Sequence, residues 1–117
     1  MYSPQLLDHF EHPRNSGQLE NSTAKVRLEN PVCGDIVELG IRIVDDHVDD
    51  LKFLARGCVP AMACASAMTE LAKGRPIVEA RALSREDIIR AVGGVPPASV
   101  HAAQLALDVL KSALKCR

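Results

Sequence analysis

The chain has 117 residues, 47% of them hydrophobic, with 14 Lys and Arg against 15 Asp and Glu for a net charge of −1. That length and apolar content predict a single domain over residues 1–117, and the balanced charge excludes the basic footprint that a nucleic-acid backbone requires. No apolar run approaches the roughly 18 residues of a membrane span, and Met1-Tyr2-Ser3-Pro4 lacks the basic-then-apolar order of an export signal, so no membrane association and a cytoplasmic setting with free thiols are expected.

Ser3-Pro4 reads as a helix cap and first turn, and Leu6, Leu7 and Phe10 give a short apolar face that stops at His12-Pro13. Arg14 to Thr23, with Asn, Ser and Gly and no period, is a loop. The period then becomes two. Val26 and Leu28, then Val37, Leu39, Ile41 and Ile43, alternate with polar residues or Gly as two half-buried strands. Asp45-Asp46-His47 is a turn, and Leu51, Phe53 and Ala55 mark a third strand, which makes an antiparallel meander. After Gly57 the small-residue run from Ala61 to Met68 predicts a closely packed helix that ends at Lys73-Gly74. Pro76 opens a short helical piece, Ser84 caps another that Gly93-Gly94 stops, and Val100, Ala103, Leu107, Leu110 and Leu114 line a long amphipathic C-terminal helix beginning at Pro96-Pro97. The fold class is α+β: a three-stranded antiparallel sheet with several helices packed on one face and the other face available to a partner.

Four residues from three chain regions could carry chemistry. In Cys33-Gly34-Asp35 the central Gly permits a tight turn, and side chains two apart point the same way. The pair is either a convergent thiolate and carboxylate or a turn cysteine before a strand-initiating Asp. Cys58 lies at a Gly-flanked strand-to-helix junction, where the helix N-terminus favours a thiolate. His101 falls in the first turn of the last helix, a poor place for an imidazolium, which favours the neutral metal-binding ring over a bland amphipathic role. Together Cys33, Asp35, Cys58 and His101 offer two sulfurs, a nitrogen and an oxygen, a set that suits tetrahedral zinc and is possible for iron. Cys58, His101 and Asp35 also fit a thiol-enzyme arrangement of nucleophile, base and orienter. Cys64 would sit about 240° round a helix from Cys58, as a small core residue, and Cys116 roughly 22 Å along a helix from His101, as a frayed terminal thiol. His9, His12 and His47 are expected at the solvated surface.

The string Asp8-His9-Phe10-Glu11-His12-Pro13-Arg14-Asn15, then Asn30-Pro31-Val32-Cys33-Gly34-Asp35, Arg56-Gly57-Cys58, Ser66, Thr69 and Glu70, and Pro96-Pro97 before His101, resembles the IscU/NifU N-terminal type of iron-sulfur cluster scaffold over most of the chain. The resemblance implies a protein on which a [2Fe-2S] cluster is assembled from iron and from sulfur delivered by a cysteine desulfurase, then passed to apo iron-sulfur proteins, and which also holds zinc. It implies Cys33 and Cys58 as ligands, Asp35 as a ligand or the residue that keeps the cluster labile, and His101 as a ligand beside a third cysteine. That third cysteine is Ala102 here, and alanine neither ligates a metal nor accepts a persulfide sulfur. Val95-Pro96-Pro97-Ala98-Ser99 also departs from the Leu-Pro-Pro-Val-Lys motif that partners of an Hsp70-type chaperone carry. The functions implied are a scaffold or carrier, monomeric or paired around a cluster, and alternatively a zinc-bound accessory protein that docks on a desulfurase without carrying a cluster.

Overall fold

The computed structural model describes residues 2–31 and 33–115. The elements run α1 (Pro4–Glu11), β1 (Ala24–Glu29), β2 (Ile36–Val44), β3 (His47–Arg56), α2 (Val59–Ala72), α3 (Ile77–Arg81), α4 (Arg85–Ala91), a short helical turn over Pro97–Ser99, and α5 (Val100–Lys115). The strands form one antiparallel sheet in the order β1-β2-β3, so the α+β meander expected from the change of period is present.

Local chemistry sets the boundaries. Ser3 Oγ accepts from Leu6 N–H at 3.0 Å, and Ser84 and Asp87 cap each other reciprocally to start α4. Asp45 and Asp46 both hold positive φ, 52° and 58°, the pair a two-residue hairpin turn demands, so β3 begins at His47 and not beyond it. Farther along β3 a register shift sets Arg42 opposite Asp50 but Ile43 opposite Val48, which leaves Asp49 as an extra residue. The bulge explains why Val48 and Leu51, three apart, both face the core.

Val37, Leu39 and Ile41 of β2 and Val48, Leu51 and Phe53 of β3 bury one sheet face beneath α2 and α5. Helix α2 is enclosed on nearly every side: Ala61, Ala63, Cys64, Ala65, Ser66, Ala67, Met68, Thr69 and Ala72 are all buried, their small side chains letting α1, α5 and β3 approach closely. Truncating Leu39 or Leu51 to Ala would cost about 2–5 kcal/mol, the usual range for a fully enclosed leucine. The second sheet face is partly covered, because the 19–22 loop lies over Gly40, where an added Cβ would come within 3.0 Å of Ser22 Oγ. The outer edge of β3 is also occupied. Phe53 N–H donates to Asn15 O at 2.9 Å and Val48 N–H to Arg75 O at 2.8 Å, so the edge offers little to another strand.

His9 departs from the surface role expected of it. It is only 5% exposed, and its Nδ1 lies 2.8 Å from Ser66 Oγ while Nε2 faces Glu70 Oε1 at 3.7 Å. Ser66 Oγ also accepts from Arg14 N–H at 2.9 Å, which frees the hydroxyl proton for His9 Nδ1. Thr69 Oγ1 donates to Ser66 O at 2.7 Å with Arg14 O also 3.2 Å away, it accepts from Asn15 Nδ2 at 3.2 Å, and Arg14 pairs with Asp8 at 2.6 Å. The loop after α1 is thereby stitched to one face of α2. His12 and His47 are exposed as expected, whereas Cys116 lies outside the described residues. Among the described residues no helix is long and apolar enough to cross a membrane.

Candidate metal centre

At one end of the sheet, the turn leading into β2, the end of β3 and the starts of α2 and α5 meet. The turn closes through Gly34 N–H to Asn30 O at 2.7 Å and Asn30 N–H to Asp35 O at 2.8 Å, with Gly34 at φ 75°. This geometry leaves Cys33 exposed at the tip and folds Asp35 inward, where it is only 2% exposed.

Asp35 is the hub. Its Oδ1 accepts from Cys58 N–H at 3.0 Å, while its Oδ2 is approached by Cys33 Sγ at 3.2 Å, Cys58 Sγ at 3.4 Å and His101 Nε2 at 3.4 Å. The close approach needs Gly57: its φ is 143°, and a Cβ there would lie 2.0 Å from Asp35 Oδ1. Burial pushes the Asp35 carboxyl up, but the Cys58 N–H, the two thiols and His101 outweigh it and hold it below its ordinary value. Burial and the Asp35 carboxylate push the Cys58 thiol up. At Cys33 a hydrogen bond from the Asp35 backbone lowers the thiol, yet desolvation by its neighbours and the Asp35 carboxylate leave it raised.

His101 is oriented by the backbone. Nδ1 lies 3.0 Å from Ala98 O, and since a carbonyl only accepts, Nδ1 carries the proton. In the neutral ring Nε2 is then a lone pair. Among the described residues that atom is buried with no hydrogen-bond partner, and it faces the Asp35 carboxylate. Two acceptors pointed at each other out of water require a cation between them, either a proton that makes an imidazolium or a metal ion.

All four residues singled out from the sequence therefore converge. Donor atoms of Cys33, Asp35 and His101 lie within 4.8 Å of one another, and Cys58 meets this group through Asp35. Of the two thiols, Cys33 is the one whose sulfur lies within 4.8 Å of both the His101 nitrogen and the Asp35 carboxylate. Ala102 is buried in the core and brings no donor, and Cys64 is fully enclosed, its thiol pushed up to about 12 by burial. Sequence reasoning missed two features, the Ala98 carbonyl that fixes the His101 tautomer and the His9–Ser66–Glu70 contacts. Ser66, Thr69 and Glu70, at i, i+3 and i+4 of a helix otherwise made of small apolar residues, were the available signal of a polar stripe needing partners.

The chain is similar throughout to known proteins. It is 40% identical over 114 residues to iron-sulfur cluster assembly scaffold protein IscU 1 of Archaeoglobus fulgidus, covering 97% of this chain and 74% of that one. It is 36% identical over 117 residues to the IscU scaffold protein of Escherichia coli K12, covering 97% and 91%. Among solved structures, a protein from Fervidobacterium islandicum AW-1 assigned to iron-sulfur cluster assembly for the SUF system superposes with a TM-score of 0.82 at 25% identity, over 97% of this chain and 96% of that one. The N-terminal part of a NifU-like protein from Brucella abortus shares the fold, with a TM-score of 0.79 at 19% identity over 97% and 92%. The NifU-like N-terminal domain matches residues 1–116, and the chain belongs to that family.

Proposed function

We propose that this chain is a scaffold and carrier for iron-sulfur cluster assembly, and that Cys33, Asp35, Cys58 and His101 hold its cargo, ferrous iron or a [2Fe-2S] cluster. The observation that carries the reading is the lone pair of His101 Nε2, buried without a hydrogen-bond partner among the described residues, against the Asp35 carboxylate that the two thiols also approach. Four donors from one chain meet the ligand count of a cluster without a third cysteine, and the mixed set makes for a labile cluster, suited to delivery. The names of the relatives support the same role. In this reading the protein works as one cytoplasmic domain, receives sulfur from a cysteine desulfurase, passes the cluster to apo iron-sulfur proteins, and catalyses no turnover of its own. Chaperone contact through Val95–Ser99 is weakened by the altered motif.

The test is anaerobic reconstitution of the purified chain with iron and sulfide, followed by its visible spectrum, with Cys33→Ala as control. A charge-transfer spectrum absent from the control supports a working scaffold. No spectrum moves the assignment to the second reading, a zinc-bound accessory protein, which the same two sulfurs, nitrogen and oxygen favour because they suit a tetrahedral ion.

A further inference from the structure

Of the two edges of the sheet, that of β3 is closed and that of β1 is open. Asn30 N–H donates to Asp35 O at 2.8 Å, and β1 pairs with β2 in a register that runs from Ala24 opposite Ile41 to Glu29 opposite Ile36. In an antiparallel pair alternate residues turn their N–H and C=O toward one neighbour and the rest toward the other. The even-numbered residues of β1 therefore bond β2, and Lys25, Arg27 and Glu29 direct their backbone groups outward. The equivalent outward residue of β3, Phe53, is engaged on both groups, its N–H by Asn15 O at 2.9 Å and its C=O by Gly17 N–H at 2.8 Å. Among the described residues, no backbone group outside the sheet bonds Lys25, Arg27 or Glu29. A groove of about 380 Å³, lined by Glu29, Pro31, Arg85, Gln104 and Asp108, leaves the end of the strand uncovered by α5.

Charge selects the partner. Lys25, Arg27 and Glu29 are all exposed. Lys25 Nζ is held by Glu38 Oε1 at 3.4 Å, whereas Arg27 and Glu29 have no ion-pair partner among the described residues. A second copy of β1 laid antiparallel along the edge, with Arg27 opposite Glu29, sets cation against anion twice across a two-fold axis. Sliding it by one alternation either way brings Arg27 onto Arg27 or Glu29 onto Glu29, so like charges face each other at the axis. The favoured register also places Leu28, half-buried on the core side, opposite Leu28 of the second copy in the closely spaced kind of antiparallel pair. Charged side chains on an edge strand normally deter pairing, and here they deter every register but one.

We propose that two copies of this chain associate through β1, joining their three-stranded sheets into one, with Arg27 of each copy opposite Glu29 of the other. The outward N–H and C=O of both residues are then satisfied. The turn that carries Cys33 follows β1 directly, so the two metal centres flank the axis, their turns beginning about 13 Å apart at about 3.3 Å per residue. The association needs no metal, which separates it from pairing around a shared cluster, and it stands whichever cargo the site holds.

The experiment is sedimentation equilibrium of the full chain, stripped of metal with a chelator and raised in concentration into the millimolar range, with amide hydrogen exchange followed in parallel. A monomer–dimer equilibrium is expected, and exchange at Arg27 and Glu29 should slow as the dimer fills. Arg27→Glu and Glu29→Arg should each raise the dissociation constant about tenfold, because both cross-strand pairs become repulsive, and the double exchange should restore it. Arg27→Pro removes an outward N–H and leaves the bonds between β1 and β2 in place, so it should abolish the dimer with the circular dichroism unchanged. A chain that stays monomeric throughout, a dimer that forms only with iron and sulfide, or a dimer that both charge variants leave intact would overturn the proposal.

Discussion

His9 and His101 are both helical histidines set against a carboxylate, and they end in opposite states. Around His9 each ring nitrogen faces a complementary group: Nδ1 accepts from Ser66 Oγ, whose hydroxyl Arg14 N–H completes, and the protonated Nε2 faces the Glu70 carboxylate at 3.7 Å, beyond hydrogen-bond length but donor toward acceptor. Around His101 the backbone satisfies Nδ1 alone and leaves Nε2 facing Asp35. A closed polar network fixes one helix upon another. An open one, with acceptors turned toward acceptors, is a place for a cation that the chain itself does not provide.

The change expected to disturb this contrast most is Gly57→Ala. With φ at 143° and a clash at 2.0 Å from Asp35 Oδ1, it should cost on the order of 3 kcal/mol in urea unfolding and abolish cluster formation. Next comes Asp35→Asn, which would convert the open network into a closed one. The amide carbonyl can still receive Cys58 N–H, and the amide N–H can donate to His101 Nε2. Unfolding stability should hold or rise, while zinc affinity measured by competition with a chelator falls by more than about 100-fold, beyond the loss typical of an outer-shell partner.

Ser66→Ala breaks the closed side. It strands His9 Nδ1 and Arg14 N–H and should destabilise the fold by about 2 kcal/mol, with zinc affinity unchanged in the same competition assay. The smallest effect is on pH dependence. Burial, helped by the Arg14 charge, lowers the pKa of His9 from its ordinary 6.5. The unfolded chain then binds the proton more readily than the folded one, so stability from this group is full above 6.5 and declines as pH falls through that value toward the folded pKa. A pH series of urea midpoints should show the decline in the native chain and a weaker one in His9→Asn.

How much of this was visible in the sequence follows from what each feature depends on. The sheet was legible because alternation in Val37–Ile43 is a local pattern, and the donors were legible because Cys33-Gly34-Asp35 and Gly57-Cys58 bring their own turn chemistry. The bulge at Asp49 was not, since it appears only when two strands are placed in register. His9 was misjudged for a similar reason. Its helix is short and amphipathic, and nothing within residues 4–11 reveals that Ser66 and Glu70, more than fifty residues away, wait on the facing helix. The central place of Asp35, with Cys33, Cys58 and His101 all brought to its Oδ2, likewise depends on how separate segments meet.

The most direct test of the contrast follows both rings at once. Long-range proton–nitrogen correlation spectra of the imidazoles would be recorded on the metal-free chain and again after one equivalent of zinc. The account predicts that His101 Nε2 changes from a free or protonated nitrogen to a metal-bound one, with Nδ1 still protonated, while the His9 signals stay in place. A His101 ring unmoved by zinc, or movement confined to His9, would contradict it.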